Sequence, residues 1–139
     1  MPYSWPLTVP ANTPPSNPKK FKLKMHECVI KRIEIEFPWG CAALVGFKLF
    51  HGTHQIQPIN PEAWIVSGGG LLMYDEPYWL RERPYILEAH CYNLDDTYDH
   101  TLQLRIVVGT PEEVFAPIHT VSLLDRINDM WRRVIYRKR

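Results

Sequence analysis

Between residues 20 and 110, short stretches of the chain alternate apolar and polar residues, which is the period of a β-strand with one buried face. Apolar residues alternate with lysines at 20–25 and with charged residues at 32–37, and the alternation recurs at 85–92 and 102–108. The stretch 41–50 is apolar at both parities, which is typical of a central strand in a packed sheet. Shorter strands are predicted at 55–57, 63–66 and 71–74.

Two local features refine this pattern. Cys28 and Ile30 have the opposite parity from Ile33, so a bulge or a strand break is predicted near Lys31–Arg32. The segment 51–54 contains a glycine and is predicted to turn into the strand at 55–57. Short strands separated by turn-forming residues indicate a mainly β fold, an antiparallel β-sandwich or jelly roll, over a body at 20–110.

A proline-rich segment, residues 1–19, precedes this body. Proline fixes its own φ and biases the preceding residue toward extended geometry, so the segment is expected to be an extended arm and not a helix or an inner strand. Its apolar residues occupy every second position: Tyr3, Trp5, Leu7 and Val9. A disordered leader is the alternative. We expect instead that these four side chains bind a neighbouring subunit.

The period changes again in residues 111–139, which we interpret as a linker followed by a helix with a basic end. Ser122 and Asp125 resemble a capping box, and a helix is predicted at about 122–136. Its apolar face consists of Leu124, Ile127, Trp131 and Val134. An isolated helix of this length is marginal in water, so this face must pack on the body or on a neighbour. Arg137 and Arg139 lie in the basic end.

Length and composition fit one globular domain. The chain has 139 residues, of which 45% are hydrophobic and 22% are charged. No apolar run approaches the roughly 20 residues of a membrane span, and we expect no secretory signal. Cys28, Cys41 and Cys91 lie in apolar stretches and are expected to be reduced core thiols, made in a reducing compartment.

The formal net charge of +1 conceals a division along the chain. Residues 19–32 carry six basic and one acidic side chain, residues 33–118 carry four basic and twelve acidic, and residues 119–139 carry six basic and two acidic. Basic ends that dock on the acidic bodies of neighbouring copies would orient association, whereas solvated ends without a role are the alternative. A pI of about 7.8 disfavours nucleic acid as the partner.

The chain has no recognisable catalytic motif. Two clusters of potential metal ligands occur in the sequence. His51 and His54 lie in one turn without the two further ligands that zinc requires. Asp95, Asp96 and Asp99 share a loop that lacks the spacing of an EF-hand. Cysteines in apolar strands disfavour the reactive thiolate. We expect no enzyme, no cofactor and no required metal, and weak metal binding at these two clusters stays open.

Three sequence runs between His26 and Val108 resemble those of a known class of proteins. They are IEIEFPWGC at 33–41, LFHGTHQIQP at 49–58 and LEAHCYNLDDT at 87–97. Together they resemble the small β-sandwich virion proteins of tailed bacteriophages, of the head-associated or decoration type. The resemblance implies a capsid-associated or connector protein without catalysis, and it does not imply a position in the particle.

The sequence therefore predicts a structural protein of a phage-like particle, located in the virion and made in the host cytoplasm. Its expected partners are copies of itself and other virion proteins, without nucleic acid or membrane. The predicted partner-binding residues are Tyr3, Trp5, Leu7, Val9, Leu124, Ile127, Trp131, Val134, Arg137 and Arg139. The alternative is a carbohydrate- or receptor-binding sandwich whose stacking surface consists of Trp39, Trp64, Tyr78, Trp79 and Tyr98.

Overall fold

The computed structural model describes residues 2–115 of the chain. Its strands are β1 (Pro2–Val9), β2 (Lys19–Lys24), β3 (Cys28–Phe37), β4 (Val45–His51), β5 (His54–Gln57), β6 (Ile65–Val66), β7 (Gly70–Tyr74), β8 (Tyr78–Leu80), β9 (Ile86–Asn93) and β10 (His100–Gly109). A 3-10 helix spans Trp39–Cys41, and residues 111–115 are helical. Among the residues that the structure describes, no helix has the length and apolar character needed to cross a membrane.

The strands form two antiparallel sheets, as in a β-sandwich, and this confirms the mainly β prediction. Sheet A has the order β1-β10-β3-β7, and β8 also pairs with β3. Sheet B has the order β2-β9-β4-β5, and β6 also pairs with β4. Buried apolar side chains from both sheets belong to one hydrophobic core, which explains the alternation in the sequence.

The predicted irregularity near Lys31–Arg32 is a β-bulge in β3. On β10, Val107 lies opposite Arg32 and Val108 lies opposite Ile30, so Lys31 has no residue opposite it. The extra residue reverses the parity of the strand. Ile30 and Ile33 are therefore both buried in the core although they are an odd number of positions apart.

The strand predicted at 41–50 begins only at Val45. The backbone N–H of Cys41 donates to the carbonyl of Pro38 at 3.1 Å, which closes the 3-10 turn. Ala42 and Ala43 follow with φ of 50° and 59°, in the left-handed region, which interrupts the extended chain. Cys41 is buried in this turn, whereas Ala42 and Ala43 are exposed, so the apolar composition at 41–44 does not mark a central strand.

Residues 2–9 are part of the body and do not form a separate arm. β1 pairs with β10 along its whole length and is an edge strand of sheet A, a position that tolerates proline. Leu7 and Val9 are fully buried in the core of their own chain, whereas Tyr3 and Trp5 are half-buried with their rings stacked at 5.4 Å. The extended geometry was predicted correctly, but the boundary between arm and body was not.

The helix predicted at 122–136 lies outside the described residues, as do Leu124, Ile127, Trp131, Val134, Arg137 and Arg139. A different helix begins earlier, within the segment interpreted as a linker. The Thr110 hydroxyl accepts the N–H of Glu113 at 3.2 Å, and the Glu113 carboxylate accepts the N–H of Thr110 at 3.4 Å. This reciprocal pair is a capping box, with Pro111 at the first helical position.

Candidate functional site

The loop between β9 and β10 contacts the segment that follows β1, and Asp95 takes part in both. Its Oδ1 accepts the backbone N–H groups of Thr97 at 2.9 Å and Tyr98 at 3.2 Å, and its Oδ2 lies 2.9 Å from His100 Nε2. These hydrogen bonds, the one from Thr97 first, lower the pKa of the Asp95 carboxyl below its ordinary value. Asp95 therefore shapes the loop between β9 and β10.

The same loop binds the segment that follows β1. Asp99 Oδ1 accepts the N–H of Ala11 at 2.9 Å, and Asp95 contributes its carbonyl to the N–H of Asn12 at 2.8 Å. Fully buried Asn93 donates its amide to the carbonyls of Val9 at 3.1 Å and Tyr98 at 3.0 Å. These contacts hold the N-terminal strand on its own body.

The cluster of Asp95, Asp96 and Asp99, a candidate metal site in the sequence, is thus engaged in structural contacts. Asp95 and Asp99 have the partners described above, and Asp96 accepts the hydroxyl of Thr97 at 2.9 Å. Among residues 2–115, no group of three or more His, Cys, Asp and Glu side chains is arranged to hold a metal ion.

His51 and His54 contact the same tyrosine. Because the Pro84 carbonyl can only accept, His51 Nε2 donates to it at 3.0 Å, and His51 Nδ1 accepts the Tyr78 hydroxyl at 2.8 Å. The His54 ring stacks on the Tyr78 ring with centroids 5.8 Å apart. Burial and, to a lesser extent, Glu82 raise the pKa of Tyr78, so its hydroxyl keeps its proton as a donor.

The five aromatic residues considered as a sugar-stacking surface do not form one row. Trp39 lies on the 3-10 turn, and Tyr98 lies in the loop between β9 and β10. Trp64 precedes β6 and packs edge-on against Tyr92, with the Lys48 ammonium 4.0 Å from its ring centroid. Tyr78 faces the two histidines, and its neighbour Trp79 packs against Phe115.

A groove of about 660 Å³ lies beside β5 and is walled by Phe50, His54, Ile59 and Tyr78. The side-chain amides of its two glutamines already form hydrogen bonds within the chain. Gln55 Nε2 donates to the carbonyls of Pro58 and Asn60, which holds the turn at 58–60. Gln57 Nε2 lies 3.4 Å from a Glu76 carboxylate oxygen. The groove has apolar walls, but its amide donors stabilise the surrounding loops.

Three of the four sheet edges carry features that oppose pairing with a further strand. β1 contains Pro2 and Pro6, which have no backbone N–H to donate. β2 has the sequence KKFKLK, so lysines line that edge. β5 is only four residues long, and its pairing with β4 is interrupted by a register shift.

The fourth edge is formed by β7 and the three-residue β8, with Asp75, Glu76 and Pro77 between them, and among the described residues β7 itself lacks these protective features. Both strands pair with β3 on one side, and within residues 2–115 β7 has no strand partner on its other side. β7 has the sequence GLLMY, without proline or charge. Leu71, Met73 and Trp79 are 44%, 54% and 38% exposed. We call these three residues, with the strands that carry them, the apolar edge.

Sequence patterns alone did not identify this edge. The strand at 71–74 was predicted, but its position in the sheet was not, because pairing order depends on contacts between distant segments. Asn93 was also missed as the residue that fastens the N-terminal strand. Asn and Asp favour turns, and both occur in the loop at 93–95, so a turn signal was present there.

The comparisons with known proteins do not add a family to this description. No protein-family model matches the chain, and no curated protein matches it.

Proposed function

We propose that this protein is a non-enzymatic structural subunit of a phage-like particle, in a head-associated, decoration or connector role. The observation that carries the binding role in this proposal is the apolar edge. Proteins that remain monomeric protect their sheet edges with proline, lysine, bulges or short strands, and an unprotected apolar edge is a site for pairing with another chain. Within residues 2–115, this chain protects three edges and leaves β7 open, which favours a protein that acts through contacts with other subunits.

The state of the nucleophilic and titratable groups supports a role without catalysis. Burial raises the pKa of the Cys28 and Cys91 thiols, which disfavours a thiolate. Both ring nitrogens of His51 are hydrogen-bonded to groups that position it. His100 is almost buried against Asp95. These side chains stabilise loops and are not arranged as a nucleophile with a general base.

The partner-binding residues of the predicted tail helix belong to this proposal as predictions from the sequence. The virion assignment rests on the resemblance of the three body runs, and the apolar edge supports only the broader statement that the chain binds other proteins.

Purification of particles from the source culture tests the proposal. Lysate is banded on a density gradient, and each fraction is probed with an antibody raised against the full chain. We expect the chain to band with DNA-filled or empty capsids at a constant ratio to the major capsid protein, also after a high-salt wash. A chain found only in the soluble fractions at the top of the gradient would contradict the proposal.

A further inference from the structure

We propose that two copies of this chain pair through β7, antiparallel about a two-fold axis at Leu72, so that sheet A continues from one copy into the other. This inference rests on the proposed function, because it names a second copy of the chain as the partner that covers the apolar edge.

The alternation of faces along β7 limits the possible registers. Leu71 and Met73 are exposed on the outer face, whereas Leu72 and Tyr74 point toward the core with Leu72 opposite Ile35 of β3. In a continuous sheet, a side chain on the core face of one copy lies opposite a side chain on the core face of the other, and the same holds for the outer face. When β7 of one copy pairs with β7 of the other, the two-fold axis must therefore pass through a residue and not between two residues.

An axis at Leu72 gives the most complementary pairs. On the outer face, Leu71 of each copy lies opposite Met73 of the other, so the two exposed apolar side chains cover each other. On the inner face, Tyr74 lies opposite Gly70, where the Trp39 ring of the same chain lies 3.6 Å from the position of an added Cβ, so Tyr74 would pack beside Trp39. A cross-strand pair of an aromatic residue and a glycine is a recognised way to stabilise a glycine at a strand edge.

The adjacent registers are poorer. An axis at Met73 places the Asp75 carboxylate opposite Leu71, and it places Glu76 opposite Gly70. An axis at Leu71 places Met73 opposite Gly69, which lies outside the strand. The register at Leu72 is the one in which every exposed apolar residue of β7 meets another apolar residue.

The charges near the strand also permit self-pairing. With the axis at Leu72, Asp75 lies opposite Gly69 of the other copy, so no two like charges face each other. Asp75 is already paired within its own chain, since Arg32 Nε lies 2.6 Å from its Oδ1. Glu34, which is next to Met73 on β3, is paired with Arg105 at 3.0 Å. Glu36, next to Leu71 on β3, and Glu76 have no ion pair among the described residues, but in this register neither lies opposite a like charge on β7 of the other copy.

The mass of the full-length chain in solution, measured by light scattering across a concentration series, tests the pairing. We expect the wild type to approach twice the chain mass of 16.3 kDa. The double variant Leu71→Lys with Met73→Lys should remain at the mass of one chain, because it places lysines directly opposite lysines twice. Leu94→Lys is the matched control, since Leu94 is 52% exposed in a loop away from β7, and it should pair as the wild type does.

Disulfide trapping tests the register independently of the lysine variants. Directly opposed residues in an antiparallel pair have Cα atoms about 4.5–5.5 Å apart, which a disulfide can bridge, whereas diagonal neighbours are about 7–8 Å apart. A mixture of Leu71→Cys chains and Met73→Cys chains should therefore form a cross-linked dimer several-fold more than either variant alone. The native cysteines are buried, and the unsubstituted chain is the background control.

A wild type that stays at one chain mass at all concentrations overturns the inference, and so does a dimer that survives the double lysine substitution. Equal cross-linking of the mixture and the single variants overturns the register. These outcomes are separate from the test of the proposed function, because a chain that bands with particles but does not pair through β7 retains the structural role with a different partner.

Discussion

At the scale of single residues, Asp95 determines more of the structure than its place in an exposed-looking acidic loop suggests. Its carboxylate is a hydrogen-bond acceptor for two backbone N–H groups and faces His100, and the two side chains are only 13% and 9% exposed. Among the described residues, the carboxylate of its neighbour Asp96 accepts a hydrogen bond only from the hydroxyl of Thr97. Residues of the same type within one loop therefore have different roles.

We predict that Asp95→Asn lowers the free energy of unfolding at pH 7, and that this difference shrinks in acid. The pKa of Asp95 is lowered by folding, so its stabilising contribution is present above the ordinary carboxyl pKa of 3.8 and is lost as the pH falls through the lower folded value. Urea denaturation of both proteins at pH 7 and near pH 3 measures the two differences.

Asp96→Asn is the control and should have little effect at either pH. If the gap between wild type and Asp95→Asn is the same at both pH values, the Asp95 carboxylate does not carry the stabilisation.

At the scale of secondary-structure elements, β1 decides whether the N-terminal segment is an appendage or part of the sandwich. Its prolines exclude it from the middle of a sheet but not from an edge, and its alternate residues Leu7 and Val9 complete the core. The loop between β9 and β10 then fastens the chain that follows it. Removal of β1 exposes apolar core and does not simply shorten an arm.

We predict that Leu7→Ala lowers the free energy of unfolding by about 2–5 kcal/mol, because it leaves a cavity in a fully packed site. Thr8→Ala is the matched control. Thr8 is exposed and contacts only the Thr101 hydroxyl at 3.0 Å, so its loss should cost roughly 1 kcal/mol or less. Chemical denaturation monitored by fluorescence measures both. Equal, small effects of the two substitutions would mean that β1 leaves the body in solution.

At the scale of the whole molecule, the apolar edge and the unequal distribution of charge both bear on the proposed contacts between copies. The basic segment 19–32 includes the lysines of β2, where they protect an edge as well as carry charge. The acidic residues lie mainly in the body between 33 and 118. A basic tail that meets this acidic body would add a second, salt-sensitive contact to the one proposed at β7.

From the sequence of the tail, we predict that Trp131→Ala weakens association more than any single Arg→Ala substitution. Exposed ion pairs contribute roughly 0–1 kcal/mol each, so apolar contact should determine affinity and charge should determine orientation. Added salt should slow association of the wild type more than that of a variant with Arg137, Lys138 and Arg139 neutralised, as measured by time-resolved light scattering. Normal association of Trp131→Ala, with equal salt effects on both proteins, would exclude this role.

The alternation of residues in 32–37 and 102–108 was sufficient to predict β-strands, because a period of two is a local property of the chain. The bulge at Lys31 was likewise visible as a change of parity. The turn at 41–44 was not, since its apolar residues resemble those of a strand in composition, although Ala42 and Ala43 have left-handed φ and are exposed. The capping box at Thr110 and Glu113 was also a local signal, but it was not identified from the sequence.

The amino-acid sequence by itself determined the mainly β class, most strand positions and the extended geometry of residues 2–9, because these depend on side chains close together in the chain. Only the tertiary structure decided that β1 pairs with β10, that Asn93 and Asp95 fasten the segment after it, and that β7 is an unprotected edge. Each of these depends on which distant segments become neighbours. Periodicity predicts that a strand has a buried face, but it does not predict which strand lies beside it or whether its edge is covered.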